Sequence, residues 1–561
     1  MIKNQSTHTH AAEHDGEFSH TRVPADRLLG RSHFAAAYSS EHIAGGEFVV
    51  GAAFAAWGAS PATVVLGLLI GNLAAVLSWA LVCAPVAVRS RLTLYQYLER
   101  VAGRRLVFFY NLMSGLIFAV IAGGMMTISA SAIRGLTDAP PQVQWYPTSG
   151  LFVAAVLLIG LATVWIALRG FARVTKFAKI CAPWLFAVFA VCGLAAWPYL
   201  TAIGGAQGLD GYETLQRYVW TGNTPDGSPS LTIWQIAAFA WGLNLPLHLG
   251  MGDLSTLRFA RKPGYGAYSA FAAYGGHFVA WLTAGMLGAA SAALLQTDIG
   301  KLDIGGVVVP VLGVAGTAAV VVASFTTAVP SLYRAGLAFH AFLPRWSLAK
   351  TTAVVGAVTT LIACLPLIFL KWLDLMAYFN ILTAPVGAVI AAEHFILPKL
   401  GIAPFWRHGR RDQNNRAAWS VWVCGMALAA VLLAAGMHLF AVFIPLWAAC
   451  LLLYTFLAYQ QAPQSNRPSE RLYHNAYGSD DIRLTTHTQT AKTALSQRRH
   501  PLLYGAAASL LLMMAGCGML YLPSSPQQYT TAFQWLLALF SAAYFIQTAL
   551  WVRLSGKDKS S

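Results

Sequence analysis

Long apolar runs alternate with short polar breaks along almost the whole chain. About twenty apolar residues cross a bilayer as a helix, and on that criterion the pattern predicts about fourteen spans. They cover 33–58, 62–87, 106–133, 149–168, 175–198, 231–257, 267–295, 306–342, 351–370, 372–397, 417–438, 440–460, 501–521 and 531–553. The eighth is overlong for one crossing and is read as a span broken at its proline and followed by a short helix. Two connections are longer. Residues 199–230 form an external loop with Asp210, Glu213 and Asp226, and residues 461–500 form a polar cytoplasmic linker. The chain thus divides into a disordered tail (1–32), a ten-span core (33–397), spans eleven and twelve (398–460), the linker (461–500) and an accessory pair with a short tail (501–561). That last pair reads as peripheral, because its apolar runs hold almost no ionisable residue.

Two spans are interrupted in the middle. In the first, "SSEHIAGG" places Ser39, Ser40, Glu41, His42, Gly45 and Gly46 at mid-depth. In the sixth, Gly242, Asn244, Pro246 and His248 interrupt "WQIAAFAWGLNLPLHLGMG". Proline removes a backbone donor and clashes with the preceding turn. Asn244 and His248 would share a face if that turn stayed helical. Backbone that leaves the helix inside a membrane is tolerated only where protein buries it or it lines a cavity. Two such breaks five spans apart are the pattern of inverted-repeat secondary transporters, whose broken helices meet at a site at the midplane. The bland reading is that these glycines and prolines merely let helices pack. The eighth span adds Thr326 and Thr327, with Pro330 freeing the Thr326 carbonyl. Hydroxyls and free carbonyls suit an alkali cation, although threonine hydroxyls also bond back to their own helix.

Composition narrows the class. Of 561 residues, 57% are hydrophobic and 10% charged, against roughly 25% charged in soluble domains. The mean hydropathy is +0.57. The fold class is all-α polytopic membrane protein. A net charge of +16 would suit nucleic acid, but the basic residues sit in short loops between apolar runs, with no basic domain to carry such binding. The partners expected are a small-molecule substrate and the lipid bilayer, with no nucleic acid. With the amino terminus cytoplasmic, nearly all of the 37 Lys and Arg fall on that side. Only Arg217, Lys301 and Lys371 fall opposite, with Arg134 at a span end and Arg334 within a span. The asymmetry supports an even number of spans in the cytoplasmic (inner) membrane with both termini inside. Residues 1–30 lack the apolar core of a cleavable signal, and His8, His10, His14 and His20 read as part of a polar tail. Cys83, Cys181, Cys192, Cys364, Cys424, Cys450 and Cys517 lie in apolar runs with no CxxC pair, as small buried residues without a disulfide framework.

Three stretches together resemble the nucleobase–cation symporter family, the purine–cytosine permeases. In "LIGNLAAVLSWALVCAPVAVRSRLTLYQYL" Ile70, Gly71 and Asn72 match that family's second span. In "FTTAVPSLYRAGLAF" Thr326, Thr327, Leu332, Tyr333 and Gly336 match its eighth. In "TAPVGAVIAAEHFILP" Pro385, Gly387 and Ala392 match its tenth, with Glu393 and His394 in place of the usual Asp-Tyr pair. The resemblance covers about 33–460. It implies a five-plus-five inverted repeat with two added spans, and uptake coupled to sodium or protons. It also implies a sodium site between the first and eighth spans: carbonyls near Glu41 and Ala44, the carbonyl of Ala323, and the hydroxyls of Thr326 and Thr327. Glu41 departs from the neutral residue usual there. It could strengthen cation binding, carry a proton in place of sodium, or simply pair with His42 or an arginine.

The pocket departs further. The family's third-span Gln and Trp are absent, which leaves Asn111 and Ser114 as early polar residues, and Ala328 replaces an Asn. Glu41, His42, Ser114, Trp241, Asn244 and His248 are the candidate substrate residues. Asp253 and Arg258 are expected to pair or gate at the cytoplasmic end of the sixth span, and Glu47, His277, Glu393 and His394 are buried polar groups that need partners. The leading reading is a cation-coupled transporter of a small heterocyclic or amide-bearing solute, with no cofactor beyond sodium or a proton and no enzymatic activity. The alternatives are a transporter-like sensor signalling through residues 461–500, or a membrane metalloenzyme using His42, His248 and Glu41.

Overall fold

Eleven helices among the described residues are long and apolar enough to cross a membrane. The computed structural model describes residues 18–19, 21–137, 139–224, 227–343, 345–408, 415–465, 468–477, 501–522 and 526–557. All its regular elements there are helical, and the only strand-like pairing is an isolated bridge between Leu29 and Ala260. The eleven helices fall on eleven of the expected spans, from Pro61–Ser90 to Pro526–Arg553. The other three are short or broken. The first span is two half-helices, Arg31–Glu41 and Glu47–Ala56. The sixth runs from Ile233 to Gly242 and resumes only as Leu254–Leu257. The ninth, Leu348–Ala363, has 16 residues.

Both breaks have local causes. At the first, Gly45 lies against the eighth span so closely that a Cβ there would meet Ser324 Oγ at 2.1 Å. At the sixth, Pro246 supplies no donor, and the backbone unwinds into tight turns. The freed carbonyls of Leu245, Pro246 and Leu247 accept from Gly250, Gly252 and Asp253 at 2.8, 2.9 and 2.9 Å. The unwound stretch therefore meets its backbone needs internally, as burial in a membrane requires.

The eighth span differs from expectation. Ile304–His340 stays helical through Pro330 and kinks instead at Gly313, whose φ is +59°. The kink frees the carbonyls of Val309 and Pro310, and Gln534 Nε2 of the fourteenth span donates to them at 3.3 and 3.0 Å. The terminal pair thus docks on the core with polar bonds. Trp184 Nε1 of the fifth span also reaches Ser541 Oγ at 3.0 Å, and Tyr544 donates to the Ile180 carbonyl at 2.7 Å.

Three connecting segments hold more structure than their composition suggests. In the loop 199–230, Asp210 and Glu213 form a capping box on the helix Gly211–Tyr218, so these acids close a helix end; Asp226 lies outside the described residues. The end of the tail packs on the core: the Val23 amide donates to the Arg91 carbonyl at 3.1 Å and the Leu29 amide to the Phe259 carbonyl at 2.7 Å. His8, His10, His14 and His20 lie outside the described residues. Within the linker, the helix Ser469–Tyr477 docks on the core, where the Tyr477 hydroxyl meets that of Tyr97 at 3.1 Å and His394 Nδ1 at 3.0 Å. The seven cysteines are free thiols, and Cys424 is exposed on the apolar flank of its helix.

Candidate transport site

The two breaks open onto one cavity of about 60 Å³, bordered by Glu41, His42, Glu47, Asn244, His277 and Thr327. Ala44 also reaches it, and Phe118 and Trp372 supply part of its apolar wall. Ligand pockets for drug-sized molecules run to roughly 300–1,000 Å³, so a heterocycle entering this conformer displaces side chains. His277 stands in a π-helical stretch of the seventh span, Phe271–Val279, an irregularity frequent at functional sites. Its Nε2 lies 3.0 Å from Asn244 Nδ2, and its ring stacks on Trp281 at 4.5 Å.

The candidate substrate residues separate here. Glu41, His42 and Asn244 border the cavity; Ser114, Trp241 and His248 do not. Ser114 is buried one turn before Phe118 on the third span. Trp241 donates its indole N–H to Ser78 Oγ at 2.9 Å. His248 Nε2 lies 3.1 Å from the Trp241 carbonyl, with its ring 4.5 Å from Trp79. After Gly242 the chain runs in turns, with the His248 amide still reaching the Asn244 carbonyl at 3.4 Å, and the two side chains take different partners, His277 for Asn244 and the Trp241 carbonyl for His248.

Between the first and eighth spans, oxygens gather. Thr326 Oγ1 donates to the Ala323 carbonyl at 2.7 Å, and Thr327 Oγ1 donates to the carbonyl of Glu41 and stands 3.5 Å from that of Ala323. The Ala44 carbonyl instead accepts the Glu47 amide at 3.1 Å. Two hydroxyls and two carbonyls form a hard donor set that fits an alkali cation. The hydroxyl protons of Thr326 and Thr327 satisfy the carbonyls.

The carboxylate of Glu41 turns away from these oxygens to Arg334. Arg334 Nη1 donates to Glu41 Oε1, while Nη2 reaches Glu41 Oε2 at 3.2 Å and Asp253 Oδ1 at 2.6 Å. Asp253 further accepts from Trp79 Nε1 at 2.7 Å, Tyr38 at 3.1 Å and Thr256 at 3.0 Å. Arg334 is 1% exposed. This buried network ties the first, sixth and eighth spans together on the side of the amino-terminal half-helix. The expected pairing of Asp253 with Arg258 is thereby corrected: Asp253 reaches across to Arg334, and Arg258 donates to the carbonyls of Ser255 and Phe18 at 3.0 and 2.8 Å. On the side of the second half-helix aromatic rings pack together. Phe239 packs on Trp281, Trp57 and Phe440 with centroids 5.6, 5.5 and 4.7 Å apart.

In the sequence Glu47 and His277 stand out only as buried polar groups. What places them on the cavity is the approach of the seventh span to the broken first. Glu393 and His394, by contrast, face the linker side: Glu393 accepts from Tyr454 at 2.6 Å and from the Phe405 amide at 2.9 Å. The metalloenzyme reading needs Glu41, His42 and His248 together, and the structure commits Glu41 to Arg334 and His248 to a backbone carbonyl. Among the described residues no group of three or more His, Cys, Asp or Glu is placed to hold a metal ion.

A helical membrane protein whose first and sixth spans break around one cavity has the architecture of an inverted-repeat transporter. No protein-family model matches the chain, and no curated protein matches it. Solved structures do. Mhp1, a nucleobase-cation-symport-1 family transporter in a closed conformation with bromovinylhydantoin bound, superposes with a TM-score of 0.59 at 15% identity, covering 80% of this chain and 97% of that one. Mhp1 in an inward-facing conformation gives 0.57 at 15% identity over 82% and 95%. A Na+-coupled sialic acid symporter in a substrate-bound outward-open state gives 0.56 at 15% identity over 82% and 97%. At this identity the likeness shows the fold. The chain is an all-helical, multi-pass membrane protein with the inverted-repeat fold of these transporters.

Proposed function

We propose that the chain is a cation-coupled secondary transporter that imports a small heterocyclic or amide-bearing solute by alternating access. Its site in the cytoplasmic membrane, with both termini inside, follows from the charge asymmetry of its loops. The observation that carries the reading is the convergence of both broken spans on one buried cavity, with Thr327 of the eighth span bonded to the carbonyl at the first break. His42 and Asn244 supply polar contacts for the solute. Ala323, Thr326, Thr327 and the Glu41 carbonyl hold the coupling cation, and Trp241 and His248 hold the sixth-span break in shape. A cation there neutralises the partial charges of carbonyls at the end of the first half-helix. Opening the cavity on one side requires parting Glu41 and Asp253 from Arg334, and on the other parting Phe239 from its aromatic neighbours. Because cation and solute favour the same closed arrangement, each strengthens binding of the other.

The test is a thermal-shift screen of the purified protein against nucleobases, hydantoins, vitamins and amides, with and without sodium, followed by uptake of any hit into proteoliposomes. Ligands that bind only the folded state raise its melting temperature. A hit enhanced by sodium and driven inward by a sodium gradient is the expected result. A hit that ignores sodium and follows a pH gradient moves the coupling ion to the proton. Binding without flux under either gradient would sink the transporter reading.

A further inference from the structure

The cavity holds a second carboxylate whose position calls for a positive ligand. Glu47 opens the second half-helix of the first span, is 4% exposed and borders the cavity. Glu41, the other carboxylate on the wall, is neutralised by Arg334, which is itself shared with Asp253. Among the described residues Glu47 has no such partner: it accepts from the Trp281 indole N–H and, at 3.4 Å, from the Ala44 amide, both uncharged donors. A carboxylate offers about four acceptor sites, so Glu47 keeps acceptor capacity. A buried carboxylate without a cation is expensive, and such residues inside membranes mark ligand or ion paths.

The surroundings fit a flat, N–H-bearing cation. His42 Nε2 is buried without a hydrogen-bond partner among the described residues, and His42 borders the same cavity. The ring of His277, flat against Trp281 with 8° between planes, adds an aromatic surface beside the Trp281 N–H that meets Glu47. Paired N–H donors of a planar cation match a carboxylate in two parallel bonds, and aromatic faces favour cations. A purely structural account would have Glu47 serve only to cap its own half-helix, where a negative charge is favoured. That account explains the Ala44 contact but gives no reason for a carboxyl group on the wall of a cavity that His42, with its unpartnered Nε2, also borders.

We propose that Glu47 binds the positively charged, N–H-bearing edge of the transported solute, which places the substrate among planar amidinium-type cations such as protonated amino-heterocycles. The proposal rests on the transporter reading for the word transported, but the binding site stands on its own geometry. The probes are methylguanidinium and its neutral isostere methylurea, measured on the purified full-length protein by thermal shift. Methylguanidinium should raise the melting temperature in a saturable way and methylurea should not. Glu47→Gln keeps the shape and an acceptor for Trp281, so it should fold and weaken methylguanidinium by about tenfold or more, while Glu47→Asp recovers part of the loss. Equal responses to the two probes, or an unchanged response in Glu47→Gln, overturns the site. If Glu47→Gln fails to fold, the wild type still decides. Dicyclohexylcarbodiimide labelling of Glu47, read by mass spectrometry, should be blocked by methylguanidinium and not by methylurea, and labelling indifferent to both overturns the proposal. Glu47-dependent binding with no gradient-driven uptake would keep the site and remove transport. Gradient-driven uptake of a neutral solute that Glu47→Gln leaves intact would keep transport and remove the site.

Discussion

The hydroxyl of Thr327 donates to the backbone carbonyl of Glu41, so the eighth span grips the first at its break. The neighbouring Thr326 hydroxyl bonds the Ala323 carbonyl one turn earlier. Replacing both threonines by alanine removes two of the four oxygens proposed for the cation. The folded state loses about 1 kcal/mol per hydroxyl, so the variant should express and melt within a few degrees of wild type. Its sodium-dependent stabilisation and uptake should vanish. Full sodium dependence in the double variant would place the cation elsewhere.

Arg334 is caught between two carboxylates in a buried setting, and removing it strands both. Arg334→Met should cost about 3–5 kcal/mol, the range for breaking a buried pair. Neutralising the carboxylates as well, with Glu41→Gln and Asp253→Asn in the same chain, should recover most of that loss, because no charge is then left unpaired. Thermal melts of the single and triple variants decide this. A triple variant no more stable than Arg334→Met would show that the network contributes more than charge compensation.

The broken spans were legible in the sequence because membrane helices tolerate few polar interruptions, and "SSEHIAGG" and "GLNLPLH" violate the apolar pattern at mid-depth. The eleven long helices and the turn of Glu41 toward an arginine were within reach for the same reason. The choice of arginine was not. Arg334 stands almost three hundred positions from Glu41, and only packing of the eighth span on the first brings them together. The kink at Gly313 was hidden because proline is a louder signal than glycine: Pro330 stays in the helix, while the carbonyls freed at Gly313 are satisfied by Gln534, a side chain from a distant span. His248 lies off the cavity because its ring is held by the Trp241 carbonyl and packs on Trp79, contacts that the spacing of the sequence does not announce.

Asn244 and Trp241 lie three positions apart, yet they should respond differently. Asn244 borders the cavity and contacts His277, whereas Trp241 bonds Ser78 outside it. Asn244→Ala should weaken any solute found in the screen by about tenfold, the scale of one lost hydrogen bond to a buried polar group. Trp241→Phe should leave that affinity unchanged and lower the melting temperature, through loss of one bond worth about 1 kcal/mol. Paired binding curves and melts test both. A larger affinity loss in Trp241→Phe than in Asn244→Ala would mean that the conformer which binds solute rotates the sixth span.

Gln534 joins the fourteenth span to the kink in the eighth, and this contact tests whether the terminal pair belongs to the core. Gln534→Leu strands the Val309 and Pro310 carbonyls, at a cost of about 1–3 kcal/mol. Gly313→Ala forces a side chain into a left-handed conformation, which adds about 1–3 kcal/mol of strain, and its Cβ would approach the Gln534 side-chain carbon at 2.9 Å. If the kink and the glutamine form one unit, the two changes should be non-additive. Once Gln534 is shortened to alanine, the close contacts with its Cδ and Oε1 disappear and only the approach to Cβ at 3.1 Å remains, leaving a coupling of at least about 0.5 kcal/mol. Melts of Gly313→Ala, Gln534→Ala and the double variant measure that coupling directly. Strict additivity would mean that the terminal pair rests on the eighth span without holding its kink.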